Sequence, residues 1–380
     1  MEVNPGGVTP YLVKRYPFLD WMRGLAVVVM IQCHVFNSLT RMDVRDGGPY
    51  VLSQFIGGMA APLFLFMAGM TMAFQMDSLE RRETVAARRW LISLRHAGYI
   101  LGIAFLFRFT NWAASFPNAQ TSELTKVDIL NCMGLSMVVF SVASLFGHNG
   151  RLRFAVVAAA AIAGLAPLVA NLGWGSTPSL VREYLAAGGS SGRGRFAFFP
   201  CAAYLGFGMA AGAIVRRAAA ERMERLMQWS VLIGFTAVFV AQYFSNIPYS
   251  IYTKSNFWSD NPTLVFIRTG ISLLLLAGSY LWTEFAAGPR WSWMQCLGKN
   301  SLMVYWVHVM LVYGTWVRPI KRTLSVPLAA LATVVVILMM IALSALWLWW
   351  KARRSLRLAA GNSPLRKGWT IPWQPRRKLG

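Results

Sequence analysis

Ten stretches of this 380-residue chain are apolar over a length that matches a lipid bilayer, and that feature closes off most folds. They cover approximately 19–40, 51–76, 90–110, 127–147, 154–172, 197–215, 227–245, 262–283, 299–317 and 326–350. In hydrocarbon every backbone N–H and C=O must find a partner within the protein, so spanning segments are helices or closed barrels. Repeated apolar runs of about 20 residues are read as membrane-spanning helices. The expected fold is an all-α polytopic membrane protein, a bundle of about ten transmembrane helices. Composition agrees: 13% of the residues are charged, against about 25% in a soluble domain.

The net charge of +23 would raise the question of nucleic acid in a soluble chain. Here the placement of the charges answers it. With the N-terminus set on the cytoplasmic side, inner segments hold 24 of the 37 Lys and Arg and outer segments hold 10. Arg23, Arg108 and Arg268 fall within or at the edges of spans. This positive-inside bias puts both termini in the cytoplasm and excludes nucleic acid as a partner. The expected organisation is a cytoplasmic segment 1–18, a transmembrane domain 19–350 and a basic tail 351–380 facing anionic lipid. Gly188–Arg195 (GGSSGRGR) reads as a flexible outer loop. No cleavable signal is expected, because the first apolar run is itself long enough to span. Four cysteines lie in or beside spans without C-x-x-C spacing, so neither a disulfide framework nor a metal site is expected. A homodimer is left open.

An ionisable residue at membrane depth marks a candidate site. In the first span positions 20, 23, 27, 30, 34 and 37 step by three and four, which places Asp20, Arg23, His34 and Asn37 on one helical stripe. Asp20 and Arg23 lie at the inner end, where an interfacial ion pair and a substrate role both fit. His34 lies about 16 Å further along the axis, too deep to reach an interface. Ser301, Tyr305 and His308 share a face of the ninth span, with His308 about 15 Å in. Two helices therefore carry a histidine to comparable depth, as a shared polar chamber would require. Asp128 and Asn131 begin the fourth span near the outer face: Asp128 fits a helix-dipole role and Asn131 could line the same cavity. Arg108 and Arg268, near outer span ends, fit snorkelling as well as substrate binding. Asn300 precedes the ninth span. The inner ends of the third and ninth spans offer Arg88, Arg89, Arg95, His96 and Lys299, a rim suited to the phosphates of a nucleotide-like donor or simply to a positive inner loop.

Imidazole at this depth suits proton abstraction from an alcohol or amine, and equally attack on a thioester. Proton-coupled transport of a small polar solute is the rival use of such residues. No H-E-x-x-H, phosphate-binding Gly-rich loop or nucleophilic Ser or Cys motif is present.

The run FLDWMRGLAVVVMIQCH, followed by APLFLFMAG, resembles the bacterial relatives of the heparan-α-glucosaminide N-acetyltransferase catalytic domain. DILNCMGLS, FPCAAYLGFGMAAG and LGKNSLMVYWVH extend the resemblance in order along most of the chain, with the first and last stretches the most specific. That family is similar to the wider membrane acyltransferases, including the acyltransferase-3 and glucan succinyltransferase groups. The resemblance implies transfer of an acetyl or other short acyl group from cytoplasmic acyl-CoA, with acetyl-CoA the first candidate. The acceptor that the resemblance implies is a hydroxyl or amine of a sugar or glycan reached from the far side of a bacterial inner membrane. Its Asp-x-x-Arg-Gly element and the polar residue eleven positions after the Arg map onto Asp20, Arg23, Gly24 and His34. The loop after the first span (SLTRMDVRDGGPY) lacks the functionally important histidine of the lysosomal enzyme, so the resemblance leaves the base to His34 or His308. Tyr305 would orient or protonate, Asn37, Asn131 and Asn300 would hydrogen-bond substrates, and Arg95 and Lys299 would lie near the CoA phosphates.

Overall fold

The computed structural model describes residues 16–114, 120–175, 177–186, 196–247, 249–286 and 291–361. The N-terminal segment through residue 15, the loop Gly188–Arg195, Arg290 and the tail from residue 362 lie outside them.

Thirteen α-helices occur among the described residues: α1 (Pro17–Leu39), α2 (Gly48–Gly57), α3 (Ala60–Glu80), α4 (Ala86–Ala114), α5 (Ile129–Phe140), α6 (His148–Ala170), α7 (Ser179–Leu185), α8 (Phe198–Arg217), α9 (Met223–Ser245), α10 (Pro262–Leu281), α11 (Trp293–Lys299), α12 (Ser301–Tyr313) and α13 (Val326–Gly361). Eight helical segments are long and apolar enough to cross a membrane, and two shorter apolar ones, 129–145 and 301–313, complete the ten expected stretches. The chain is a multi-pass helical membrane protein.

The fourth and ninth spans are among those that depart from unbroken helices. The fourth tightens into a 3₁₀ turn at Ser141–Leu145, where Ser141 Oγ donates to the Val138 carbonyl at 2.6 Å and Ser144 Oγ to that of Ser141 at 2.6 Å. The ninth splits at Asn300, whose backbone (φ −114°, ψ 21°) separates α11 from α12. The Asn300 side chain donates to the carbonyls of Cys296 (3.2 Å) and Ser344 (3.3 Å), so it satisfies backbone groups at this break.

Packing follows small residues. α3 lies along α8, α9 along α10, α6 against α8, and α11 across α1. At Gly208 a β-carbon would overlap the Phe66 backbone, so the α3–α8 crossing is a direct meeting of main chains. Large apolar side chains instead face outward along α9 and α13, among them Leu232, Phe239, Leu331 and Leu338. An exposed apolar girdle of this extent is a lipid-facing surface.

At the inner end, scarce acids gather the basic side chains. Asp77 meets Arg81 at 2.8 Å, Arg217 at 3.3 Å and Arg216 at 3.4 Å, while Glu80 meets the fully buried Arg151 at 2.8 Å. This network ties α3, α6 and α8 together where the positive-inside count found only isolated charges.

Candidate functional site

The site begins with register. α1 and the α11–α12 segment run parallel, and an offset of 274 residues recurs in their contacts. At the inner end Gly298 sits against the Asp20 carbonyl and the backbone of Gly24, where any side chain would collide. Near the outer end Ser38 Oγ donates to the Val312 carbonyl at 2.8 Å. Between these two clasps, the same offset sets His34 opposite His308.

The two imidazoles stack at a centroid separation of 5.2 Å and an interplanar angle of 16°. His34 Nδ1 and His308 Nε2 are 3.1 Å apart, and His308 Nδ1 lies 2.6 Å from the Val304 carbonyl. A carbonyl can only accept, so His308 Nδ1 carries a proton. In the neutral pair His308 Nε2 is then the acceptor, and His34 Nδ1–H donates to it. That leaves His34 Nε2 as the basic atom. His308 has no exposed surface, whereas His34 is partly exposed to cavity space.

Two cavities meet at His34. One, of about 460 Å³, is bounded by α1, α2, α3, α8, α10 and Tyr305, and includes Gln54, Tyr204 and Arg268 in its wall. The other, of about 690 Å³, lies between the ends of α1, α4 and α12 and includes Asn37, Arg108, Trp112, Asp128 and Tyr313. Cys33, His34, Gln54, Phe196 and Tyr305 line both. Both take their walls from the bundle end opposite Asp20 and Arg23.

The supporting contacts are specific. Asn37 Nδ2 donates to the Tyr313 hydroxyl at 3.3 Å, and the Tyr313 ring meets His34 edge-on at 5.6 Å. Tyr305 wedges between Phe107 (4.9 Å) and His308 (6.0 Å). Asp128 caps α5, accepting from the backbone N–H groups of Leu130 and Asn131, and its second oxygen meets Arg108 at 2.9 Å. Arg108 is therefore held in a largely buried ion pair inside the larger cavity, and it does not snorkel to an interface. Asn131 completes the capping box and donates to Tyr184 Oη at 3.0 Å. Burial lifts the Tyr184 phenol above its ordinary pKa range, so it stays protonated there.

The other sequence candidates fall elsewhere. Asp20 and Arg23 form an i,i+3 pair at 3.5 Å at the inner end. Asn300 and Ser301 lie at the start of α12, and neither is among the residues lining the two cavities. Arg88, Arg95, His96 and Lys299 are exposed on the inner side, and Arg89 donates to the Ser144 carbonyl at 3.1 Å. None of these five lines either cavity. The sequence reading did not single out Gln54, Tyr204 or Tyr313. Gln54, a long polar side chain beside the Gly57–Gly58 pair in a mostly apolar span, is the one with a visible signal.

The comparison with protein families agrees with this architecture. The acyltransferase-3 model, described as an acyltransferase domain, matches residues 16–349. No curated protein matches the chain. A match over nearly the whole helical bundle, enclosing the histidine pair and both cavities, places the chain in the acyltransferase-3 family: it is a membrane acyltransferase.

Proposed function

We propose that this protein moves an acetyl or other short acyl group from cytoplasmic acyl-CoA to a hydroxyl or amine of a sugar or glycan, across a bacterial inner membrane. The observation that carries the reading is the His34–His308 pair at the junction of two cavities. His34 Nε2 takes the proton of the acceptor, whose freed lone pair attacks the thioester carbonyl. The C–S bond breaks as the new C–O or C–N bond forms, and the proton returns to the CoA sulfur. His308, anchored on Val304, holds the His34 ring in the tautomer that leaves Nε2 basic.

The larger cavity suits a polyhydroxy acceptor. It presents Asn37, Asn111 and the Arg108–Asp128 pair beside the aromatic faces of Trp112 and Tyr313. On the inner side, Arg88, Arg95, His96 and Lys299 supply a positive rim suited to CoA phosphates. The narrower kinship with the heparan-α-glucosaminide N-acetyltransferase catalytic domain belongs to this proposal, supported by Asp20, Arg23, Gly24 and His34 in one stretch.

Purified protein incubated with acetyl-CoA tests the reading. Thiol release, as slow hydrolysis or faster with a sugar acceptor, should depend on His34. If CoA does not bind and no His34-dependent turnover is seen, the proposal falls.

A further inference from the structure

The two cavities that meet at His34 differ in how their charges are balanced. In the larger one Arg108 is paired with Asp128 at 2.9 Å and Lys126 with Glu123 at 3.6 Å, and the third lining cation, Lys321, is exposed to solvent at the cavity edge. The smaller one has Arg268 as its one permanently charged lining residue, from the second turn of α10. Among the described residues no carboxylate stands within ion-pair distance of Arg268. Of the chain's 14 acidic residues, Glu2 alone lies outside the described ones.

The guanidinium is nonetheless closely housed. It stands beside the buried Tyr204 hydroxyl, and a methyl group added at Gly58 would lie 3.1 Å from its Nη2. An arginine stays charged in any protein environment, and Arg268, partly buried in the cavity wall with no carboxylate beside it, is free to take an anion that enters the cavity. Its fork matches a carboxylate through two parallel hydrogen bonds. The rest of the wall is mainly apolar, with Met30, Phe64, Leu65 and Val265 leading back to His34.

We propose that the smaller cavity is an anion-accepting lobe in which Arg268 holds a carboxylate belonging to a substrate whose reacting group lies at His34. The carboxylate has two chemical sources. It is either the far end of a dicarboxylic acyl group or the acid of a uronic-acid acceptor. The acyl-transfer reading is needed only for what happens at His34; recognition of the anion at Arg268 stands on the cavity itself.

The test is ligand-induced thermal stabilisation of the full-length protein in detergent, with two pairs of probes. Monomethyl succinate is compared with methyl butyrate, and methyl glucuronide with methyl glucoside. In one pair the charged probe should bind at least tenfold more tightly than its neutral counterpart, a difference of about 1.4 kcal/mol. The pair that responds names the source of the carboxylate. Arg268→Gln should bring that ratio to about one, and Arg268→Lys should keep part of it. Gly58→Val, which crowds the guanidinium and leaves its charge in place, should also weaken the charged probe and carries the test if Arg268→Gln does not fold. Equal binding within both pairs, no binding of any probe, or a preference that survives both Arg268→Gln and Gly58→Val overturns the proposal. Wild-type protein that keeps the carboxylate preference but releases no thiol from any acyl-CoA would instead sink the transfer reading and leave this one standing.

Discussion

Replacing His308 with phenylalanine separates chemistry at His34 from the positioning of His34. The substitution keeps a ring of similar size in the fully buried position but removes both nitrogens. Two contacts disappear: the 2.6 Å bond to the Val304 carbonyl and the 3.1 Å bond that accepts from His34 Nδ1–H. The first was a bond to an i−4 carbonyl already engaged in the helix, so its loss costs little. The second leaves the His34 N–H facing a hydrocarbon ring, a cost of about 1–3 kcal/mol. It also removes the bias that keeps the proton on Nδ1. A net hydrogen bond of about 0.5–1.5 kcal/mol corresponds to a tautomer preference of up to about tenfold; without it the competent tautomer falls from about nine-tenths to about half of the population, so His308→Phe should lower the rate of thiol release from acetyl-CoA by about twofold. His34→Ala, which removes the proposed base, should cost about 10²–10⁴-fold. His308→Gln places an amide oxygen near the lost Nε2 and should recover much of the rate. Nitrogen-15 shifts of the His34 ring give an independent readout, with Nδ1 protonated in the wild type and a mixture in His308→Phe. Full activity in His308→Phe would refute the positioning role. A loss as deep as that of His34→Ala would show that His308 itself does chemistry.

Arg108→Gln strips the partner from Asp128 in a pair whose side chains are only 13% and 7% exposed, and should destabilise the fold by about 3–5 kcal/mol in denaturant unfolding. Asp128→Asn should cost less, because Asn caps a helix as well as Asp does. Gly298→Ala drives a methyl group into the Asp20 carbonyl and should lower stability by about 1–3 kcal/mol, whereas Gly102→Ala, which meets nothing within 4 Å, should raise it by about 0.5–1 kcal/mol. Equal melting temperatures for those two variants would contradict the α1–α11 crossing. Asp77→Asn leaves Arg216 and Arg217 facing each other without their acid; with Arg217 43% exposed and screened, a loss of about 1–3 kcal/mol is expected, shrinking at high salt.

What the sequence discloses here depends on the range of each interaction. The stripe of Asp20, Arg23, His34 and Asn37 is legible because a helix converts spacing into direction, and the depth match with His308 follows from rise per residue. Both steps need only one helix at a time. The partner of Arg108 is not legible in that way. Asp128 reaches it from another helix, and that meeting depends on how α4 and α5 are offset along their axes. Arg268 shows the same limit. Its position near a span end fits an interfacial side chain, and only the packing of α2, α8 and α10 around it reveals a cavity wall. Asn300 reads as a hydrogen-bonding residue in sequence, as it is, but its partners are the Cys296 and Ser344 carbonyls, at the point where the ninth span breaks.

The sealed position of His308 bears on the traffic of protons. With no exposed surface and both nitrogens engaged, its ring is a dead end, and cavity water meets the pair only at His34. Any proton the pair gains or loses has to enter and leave through that one ring. A second proton cannot be banked behind the first, so under the proposed transfer each turnover would have to discharge the one it collected before another acceptor could be activated.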